Sequence, residues 1–382
     1  MINNLRQMSQ WKYKNVKSFY YLKEILLLLV PRTFYRLILK SELKKIENYD
    51  REYILSRVNY YNKKKDQFNI SKNATNLSGL KYIQMKNIIG NLLSSKKDGL
   101  KKTYNTYFLD LHKHFSFFSS SKKLDFLFGD VTTISNTPSI VKSRPILNNE
   151  NSIIMKLNKV RHFHFIDDEK KFKDKKDMAV WRGNGMNSTI RQHFLENYYS
   201  VPIFNIGQKS PVVDKPWFKG FMSIYDQLAY KFIFCIEGVD TATSIKWVMS
   251  SNSVCVMPQP KYETWFMEGK LKANIHYIEV NEDFSNAEEK IKYYIKHQDK
   301  ALEIIKNANN YVSQFKDIKR EKLISLLVIA WDKRSAAASI PFKQLGSGIR
   351  SRSIGSRKLS TSSKPTPRLD KIRATTSARP KR

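Results

Sequence analysis

The stretch KFIFCIEGVDTATSIKWVMSSNSVCVMP, residues 231–258, constrains the fold more than any other part of the chain. An apolar run, Phe232 to Ile236, ends in Glu237-Gly238. A Thr/Ser-rich turn follows, then a helix-like segment carrying Lys246 and Trp247, then a second apolar run from Val254 to Met257. Strand, polar turn, helix, strand is the repeating unit of a parallel α/β sheet. In such sheets ligands sit at the carboxyl ends of strands, where a helix N-terminus offers unpaired backbone N–H groups to anions. Asp240, Thr241, Thr243, Ser244 and Lys246 fall at that spot. The expected ligand is therefore a phosphorylated small molecule.

Charge narrows the partners. Of the 68 Lys/Arg and 34 Asp/Glu, 14 bases and one acid lie in residues 333–382. Residues 1–332 keep 54 bases and 33 acids, a net of +21 out of the total +34, so the body is basic without its tail. Such a surface concentrates nucleic acid, an anionic membrane face or a phosphorylated glycolipid, and charge alone does not choose among them. The two cysteines, Cys235 and Cys255, each sit inside an apolar run and read as buried free thiols of a reducing compartment. The run Ile25 to Val30 is interrupted by Pro31 and covers under a third of a ~30 Å hydrocarbon core. Trp11 to Lys40 mixes Lys/Arg with Tyr, Phe and Leu. That composition suits a helix lying on an anionic membrane face and equally a core helix with a solvated basic side.

Four regions are expected. Residues 1–123 read as helical and membrane-associated. Residues 124–174 carry short strands, Leu124 to Phe128 and Ser152 to Leu157, with Asp167 to Asp177 as a charged connector and domain boundary. Residues 175–332 alternate strand and helix: strands at Met178 to Trp181, Val201 to Ile206 and Ile275 to Val280, then helices near 286–297, 299–315 and 321–331. From Ala336 onward the chain contains no Asn, Tyr or Glu and favours Ser, Arg, Ala and Pro. Residues 333–382 therefore read as an unstructured basic extension foreign to the domain.

Seven pieces, in order, carry a resemblance: FGDV (128–131), PSIVKSRPI (138–146), KVRHF (159–163), VWRGNG (180–185) with Arg191, YKFIFCIEGVDTATSIKWVMSSNS (230–253), YETWF (262–266) and HYIEV (276–280). Together they resemble glycosyltransferase family 90, which includes capsule-associated xylosyltransferases, protein O-glucosyltransferases and bacterial lipopolysaccharide-modifying enzymes. The likeness covers Leu124 to Phe315 and is strongest to the bacterial branch. It implies a GT-B-like α/β fold, two Rossmann-like lobes with a cleft between them. It also implies inverting, metal-independent transfer from a nucleotide sugar, expected to be a UDP-sugar, with no further cofactor.

An acceptor hydroxyl must lose its proton as it attacks, so a carboxylate must stand within hydrogen-bond reach as general base. The resemblance puts Asp130 in that role; on local sequence alone it is a turn-forming Asp after Gly129. The leaving diphosphate gathers negative charge, which cationic side chains and backbone N–H groups must take up. The resemblance assigns that face to Arg182, Gly183, Asn184, Arg191, Asp240, Thr243, Ser244 and Lys246. Eukaryotic relatives carry Arg where Ser244 stands, which shifts the expected weight onto Lys246. Arg144 and Arg161 are further phosphate or acceptor candidates. Glu263 is a candidate for ribose or sugar hydroxyls, or a plain surface charge. His162 and His164 alternate like a half-buried strand and lack an obvious third metal ligand.

The expected acceptor is a lipopolysaccharide or lipooligosaccharide core, or another lipid-linked saccharide, met at the cytoplasmic face of a bacterial inner membrane. Two other readings remain: a basic nucleic-acid-binding protein, and an inactive sugar-binding relative of the same fold. No helix-turn-helix, zinc or RNA-recognition signature supports the first, so nucleic acid is not an expected partner. Asp130, Arg182 and Lys246 together weigh against the second.

Overall fold

The computed structural model describes residues 17–64, 71–72, 74–93, 105–186, 188–211 and 214–330, with backbone alone for 87–93. The expected tail, 333–382, and the stretch before Lys17 lie outside the described residues. The N-terminal part is helical, as its composition indicated: α1 (Lys17–Leu28), α2 (Arg32–Lys44), α3 (Arg51–Tyr61), α4 (Leu77–Leu93) and α5 (Asn105–Phe115). Pro31 separates the first two, where its fixed φ suits a helix entry better than a helix interior. Asp50 caps α3, accepting hydrogen bonds from the Glu52 and Tyr53 N–H groups.

Four short strands follow: β1 (Asp125–Leu127), β2 (Ser139–Val141), β3 (Ser143–Pro145) and β4 (Ser152–Ile154). β1, β2 and β4 form a parallel three-stranded sheet. The RHFHF segment is not a strand. Only its first two residues lie in a helical turn, α6 (Lys159–His162), which Asn158 opens at φ +53°, and 163–165 are irregular. Alternating His and Phe suggested a period of two, but a four-residue segment cannot separate that from one turn of helix.

The remaining chain builds a second sheet: β5 (Lys176–Gly183), α7 (Thr189–Tyr198), β6 (Phe204–Gln208), α8 (Ile224–Gln227), β7 (Tyr230–Phe234), α9 (Ile245–Met249), β8 (Val254–Met257), β9 (Tyr262–Thr264) and β10 (Ile278–Glu279). Its five parallel strands run in the order β10-β8-β7-β5-β6, while β9 leaves it to pair antiparallel with β3. Counted from β5, the order is 2-1-3-4-5, the doubly wound pattern whose switch point lies between the first and third strands, here β5 and β7.

β7 and β8 are buried at every position, as strands covered on both faces must be. Trp181, Ile206, Phe232, Phe234 and Val256 pack toward Phe194 of α7 and toward α10 (Ala287–Lys296) and α11 (Gln298–Ser313). Their alternating neighbours Val180, Ile233, Cys235, Cys255 and Met257 join Ile245 and Val248 in the other core. Each such fully buried side chain contributes roughly 1.5–3 kcal/mol. The last described helix, α12 (Ile318–Ala330), turns back to the N-terminal helices, where Glu321 pairs with buried Arg57 of α3 at 2.5 Å. The expected connector, Asp167 to Asp177, is tied to the sheet: Asp168 accepts from Lys175 at 2.7 Å and from the Asn252 N–H at 2.9 Å.

Candidate active site

One ammonium ties a turn of the small parallel sheet to a turn of the large one. Lys142 follows the last residue of β2 and is only 1% exposed, yet it stands 2.6 Å from Asp130 Oδ1 and 2.6 Å from Asp240 Oδ2. Asp130 follows β1, after Gly129 at φ +120°, a conformation that side-chain-bearing residues rarely adopt. Asp240 lies in the turn beyond β7, at the carboxyl edge of the large sheet, and is buried. The Ser143 hydroxyl donates to the same Asp240 oxygen at 2.5 Å. Asp130 is the more open carboxylate, its side chain 31% exposed. Burial alone would push the Lys142 ammonium down, but Asp240, the Tyr107 hydroxyl and Asp130 carry it above the ordinary lysine value. It therefore stays charged at neutral pH.

Two arginines and a histidine surround this bridge. His162 Nε2 is 3.5 Å from Lys142 Nζ. Burial first, then Lys142, Lys246 and Arg161, hold that imidazole well below its usual value, so it is neutral. Arg161, beside it on α6, is exposed and makes no side-chain hydrogen bond or ion pair among the described residues. Arg191 of α7 reaches across the switch point and donates through Nε and Nη2 to the Ile236 carbonyl at 3.2 and 2.7 Å. A Cβ on Gly238 would stand 3.0 Å from that guanidinium, so glycine there keeps the crossing open. Burial and then Arg161 pull Arg191 below its ordinary value, while Asp240, Glu237 and Asp130 draw it up. The cluster is thus one electrostatic unit in which Lys142, Arg161 and Arg191 stand among Asp130, Asp240 and Glu237.

Glu237 lies beside it, at the end of the run through β7. The Lys261 N–H donates to its carboxylate at 3.2 Å, as does the Tyr262 N–H. Even so, burial dominates and raises its pKa to about 7, with Glu268 and Asp240 adding to the rise. It lines a 170 Å³ cavity with Thr189, Cys235, Gly238 and Ile245. A wider cavity of 580 Å³ opens next to it over Ser188, Thr189, Gln192, Gly238 and Val239.

Several residues expected at the donor are engaged with partners within the protein. Lys246 is fully buried and ion-paired with Glu268, which also accepts from the Thr264 N–H at 2.6 Å. Arg144 is fully buried: Nε donates to Glu263 at 2.8 Å, and its other nitrogens donate to the carbonyls of Ser152 at 2.6 Å and Tyr60 at 2.7 Å. Glu263 also accepts from the Tyr60 hydroxyl and from Asn149. Arg144 and Glu263 therefore bolt β3 to β9, where they are register partners, instead of facing a ligand. Arg182 folds toward β6, donating to the Asn205 carbonyl at 2.7 Å and to its Oδ1 at 2.8 Å. A Cβ on Gly183 would collide with the Trp181 ring. Asn184 Oδ1 accepts from the Ser210 N–H at 3.1 Å. Thr243 and Ser244 are half-buried at the start of α9, with the Ser244 hydroxyl 3.3 Å from Cys235 Sγ.

The structure thus gathers Asp130, Asp240, Arg161 and Arg191, and leaves Lys246, Arg144 and Glu263 in buried pairs. Lys142, Ser143 and Glu237 join the cluster without having been singled out, and His162, weighed only as a strand residue or metal ligand, joins it beside Lys142. For Lys142 a signal existed: an ammonium directly after an apolar strand must be paired if it is buried. Among the described residues no group of three or more His, Cys, Asp or Glu side chains is arranged to hold a metal ion.

The model of the family described as "Glycosyl transferase family 90" matches residues 110–324, a span containing the whole Asp130–Lys142–Asp240 bridge. A protein of Dichelobacter nodosus named O-glucosyltransferase LpsA is 42% identical over 227 residues, 59% of this chain and 71% of that protein.

Proposed function

The chain belongs to glycosyl transferase family 90 and is a glycosyltransferase, and from that premise we propose that it transfers the sugar of a nucleotide sugar, a UDP-sugar, to a saccharide hydroxyl with inversion at the anomeric carbon, with Asp130 as general base and the nucleoside diphosphate as leaving group. The bridge from Asp130 through Lys142 to Asp240 carries this reading. The small and large parallel sheets are the two lobes of a GT-B-like arrangement, and the bridge spans the cleft between them.

Asp130 accepts the acceptor hydroxyl's proton as the new C–O bond forms and the bond to the diphosphate breaks. Lys142 fixes the orientation of that carboxylate, a positioning role. Arg161 and Arg191 receive the charge that grows on the leaving diphosphate, with no metal required. The carboxyl edge of β7 and the start of α7 hold the nucleotide, following the switch-point rule. Asp240 acts through Lys142.

The name of the Dichelobacter nodosus protein makes glucose the first donor to try. The acceptor is a lipopolysaccharide or lipooligosaccharide core at the cytoplasmic face of the inner membrane, a phosphorylated substrate suited to the +21 body. The test is transfer from a panel of UDP-sugars to truncated lipooligosaccharide. One donor should be used well above the rest. A protein that binds no UDP and transfers from none of them has lost the reading.

A further inference from the structure

The N-terminal helical hairpin has two unlike faces. Its inner face is polar and engaged: the Tyr20 hydroxyl donates to Asp110 at 2.9 Å, and Glu24 pairs with Lys159 at 2.5 Å. Arg32 donates to the Phe118 carbonyl at 2.9 Å, and the Tyr35 ring packs edge-on against Phe117. Its outer face carries Phe19, Leu22 and Leu26 of α1 and Leu29 just beyond its last residue, spaced 3, 4 and 3 residues apart, with Phe34 and Leu37 of α2. All six are exposed, Leu29 by 75% and Leu37 by 81%. Such a stripe normally faces a core or a partner.

The charges around the stripe identify its occupant. Lys17, Lys23, Arg36, Lys40 and Lys44 are all exposed. No acidic residue of the hairpin is: Glu24 is buried, and Glu42 is half-buried between Lys45 and Lys322. A second copy of this chain would bring like charges together across a two-fold interface, which opposes self-association. An apolar stripe fringed only by cations fits a surface with an apolar interior and an anionic skin. No described helix is long and apolar enough to cross a membrane, so the hairpin would lie in the plane of the interface.

We propose that α1 and α2 dock the protein on an anionic phospholipid bilayer, with Leu26, Leu29, Phe34 and Leu37 in the acyl boundary and the five cations at the headgroups. This rests on the proposed function only for the bilayer's identity as the inner membrane; the surface itself is independent of the sugar chemistry. The docked element is also joined to the candidate site. Lys159, which holds Glu24 and Asp110, begins the same helical turn that carries Arg161 and His162. A bilayer-bound hairpin therefore holds the site at a set distance from the headgroups.

Flotation of the full chain with phosphatidylglycerol-containing and phosphatidylcholine-only vesicles tests this, comparing wild type with Leu26→Glu/Leu29→Glu/Leu37→Glu. The wild type should partition onto the anionic vesicles only, and the variant should lose at least about tenfold in partition coefficient. The variant's melting temperature and its UDP affinity should be unchanged, because all three positions are exposed and outside the site. Equal flotation of variant and wild type overturns the proposal, since attraction would then come from charge elsewhere in the chain. A wild type that ignores both vesicles and forms a dimer the variant dissolves also overturns it, in favour of a self-interface. Either failure leaves transfer to a soluble acceptor untouched, so it is distinguishable from failure of the proposed function.

Discussion

Replacing Lys142 by methionine removes the charge that links Asp130 to Asp240 while nearly keeping the side chain's length. In the native protein that ammonium is 1% exposed and 2.6 Å from each carboxylate. Taking one partner from a buried ion pair costs about 3–5 kcal/mol, because the other is left uncompensated. Asp240 is buried and suffers the full penalty, whereas Asp130 is partly solvated and suffers less. At roughly 2–4 °C per kcal/mol for a domain of this size class, Lys142→Met should melt about 6–20 °C lower.

Catalysis carries a second signature. Two carboxylates without their shared cation repel each other, and protonation of the base becomes easier. The acid limb of kcat/KM should therefore move to higher pH in Lys142→Met, and Lys142→Arg should move it back by restoring the charge. The assay is a pH–rate profile from pH 5 to 9 with the best donor, beside thermal melts at each pH. Because the native Lys142 value is raised, its stabilising effect is fully present below the ordinary lysine value and is lost only as pH rises through the raised one. The titration of Lys142 itself should thus add no slope to the melting difference across this range. An unmoved acid limb, with only a lower melting temperature, would mean that Lys142 is a structural strut and plays no part in setting the base.

Other expectations follow from the same geometry. Glu237 has its pKa raised from the ordinary 4.5 to about 7, so the protonated form favours the folded state and stability falls as pH rises from about 4.5 through about 7. Glu237→Gln should remove that slope and be more stable than wild type at pH 8, by about 3 kcal/mol as an upper bound. Arg161→Ala should lose about 10–100-fold in kcat/KM with its melting temperature intact, the value of one or so charge-assisted contacts. Lys246→Met should behave oppositely in steady-state assays and melts, losing stability through Glu268 while the surviving folded protein keeps its UDP affinity. Gly129→Ala forces a side chain into φ +120° and should cost about 1–3 kcal/mol, with activity falling as Asp130 shifts.

The sequence was most legible where pattern and burial agree. Val254 to Met257 is a strand with the expected bounds, and the helices near 287–296 and 298–313 follow their apolar spacing. The family was legible too, since seven short pieces in order carry more information than any one of them, and the family match spans residues 110–324. What the sequence hid is side-chain direction. Arg144 and Glu263 are 119 positions apart in the chain, and only the β3–β9 register turns them toward each other. Lys246 sits on α9, where the expected diphosphate clamp would need it turned outward, but its side chain enters the core and meets Glu268. The reverse holds for Lys142, whose partners Asp130 and Asp240 are 12 and 98 positions away, in turns beyond different sheets. Local sequence ranks lysines by neighbours in the chain, and burial ranks them by neighbours in space.

The central claim is that Asp130 takes the proton from the acceptor. Asp130→Asn keeps the shape and the hydrogen-bonding capacity of the side chain and removes the base. Transfer from the preferred donor should fall by about 10²–10⁴ in kcat, while UDP binding, read by calorimetry on the same sample, should change by less than about threefold. Transfer at near wild-type rate, with UDP still bound, would contradict the account and move the base elsewhere in the cluster.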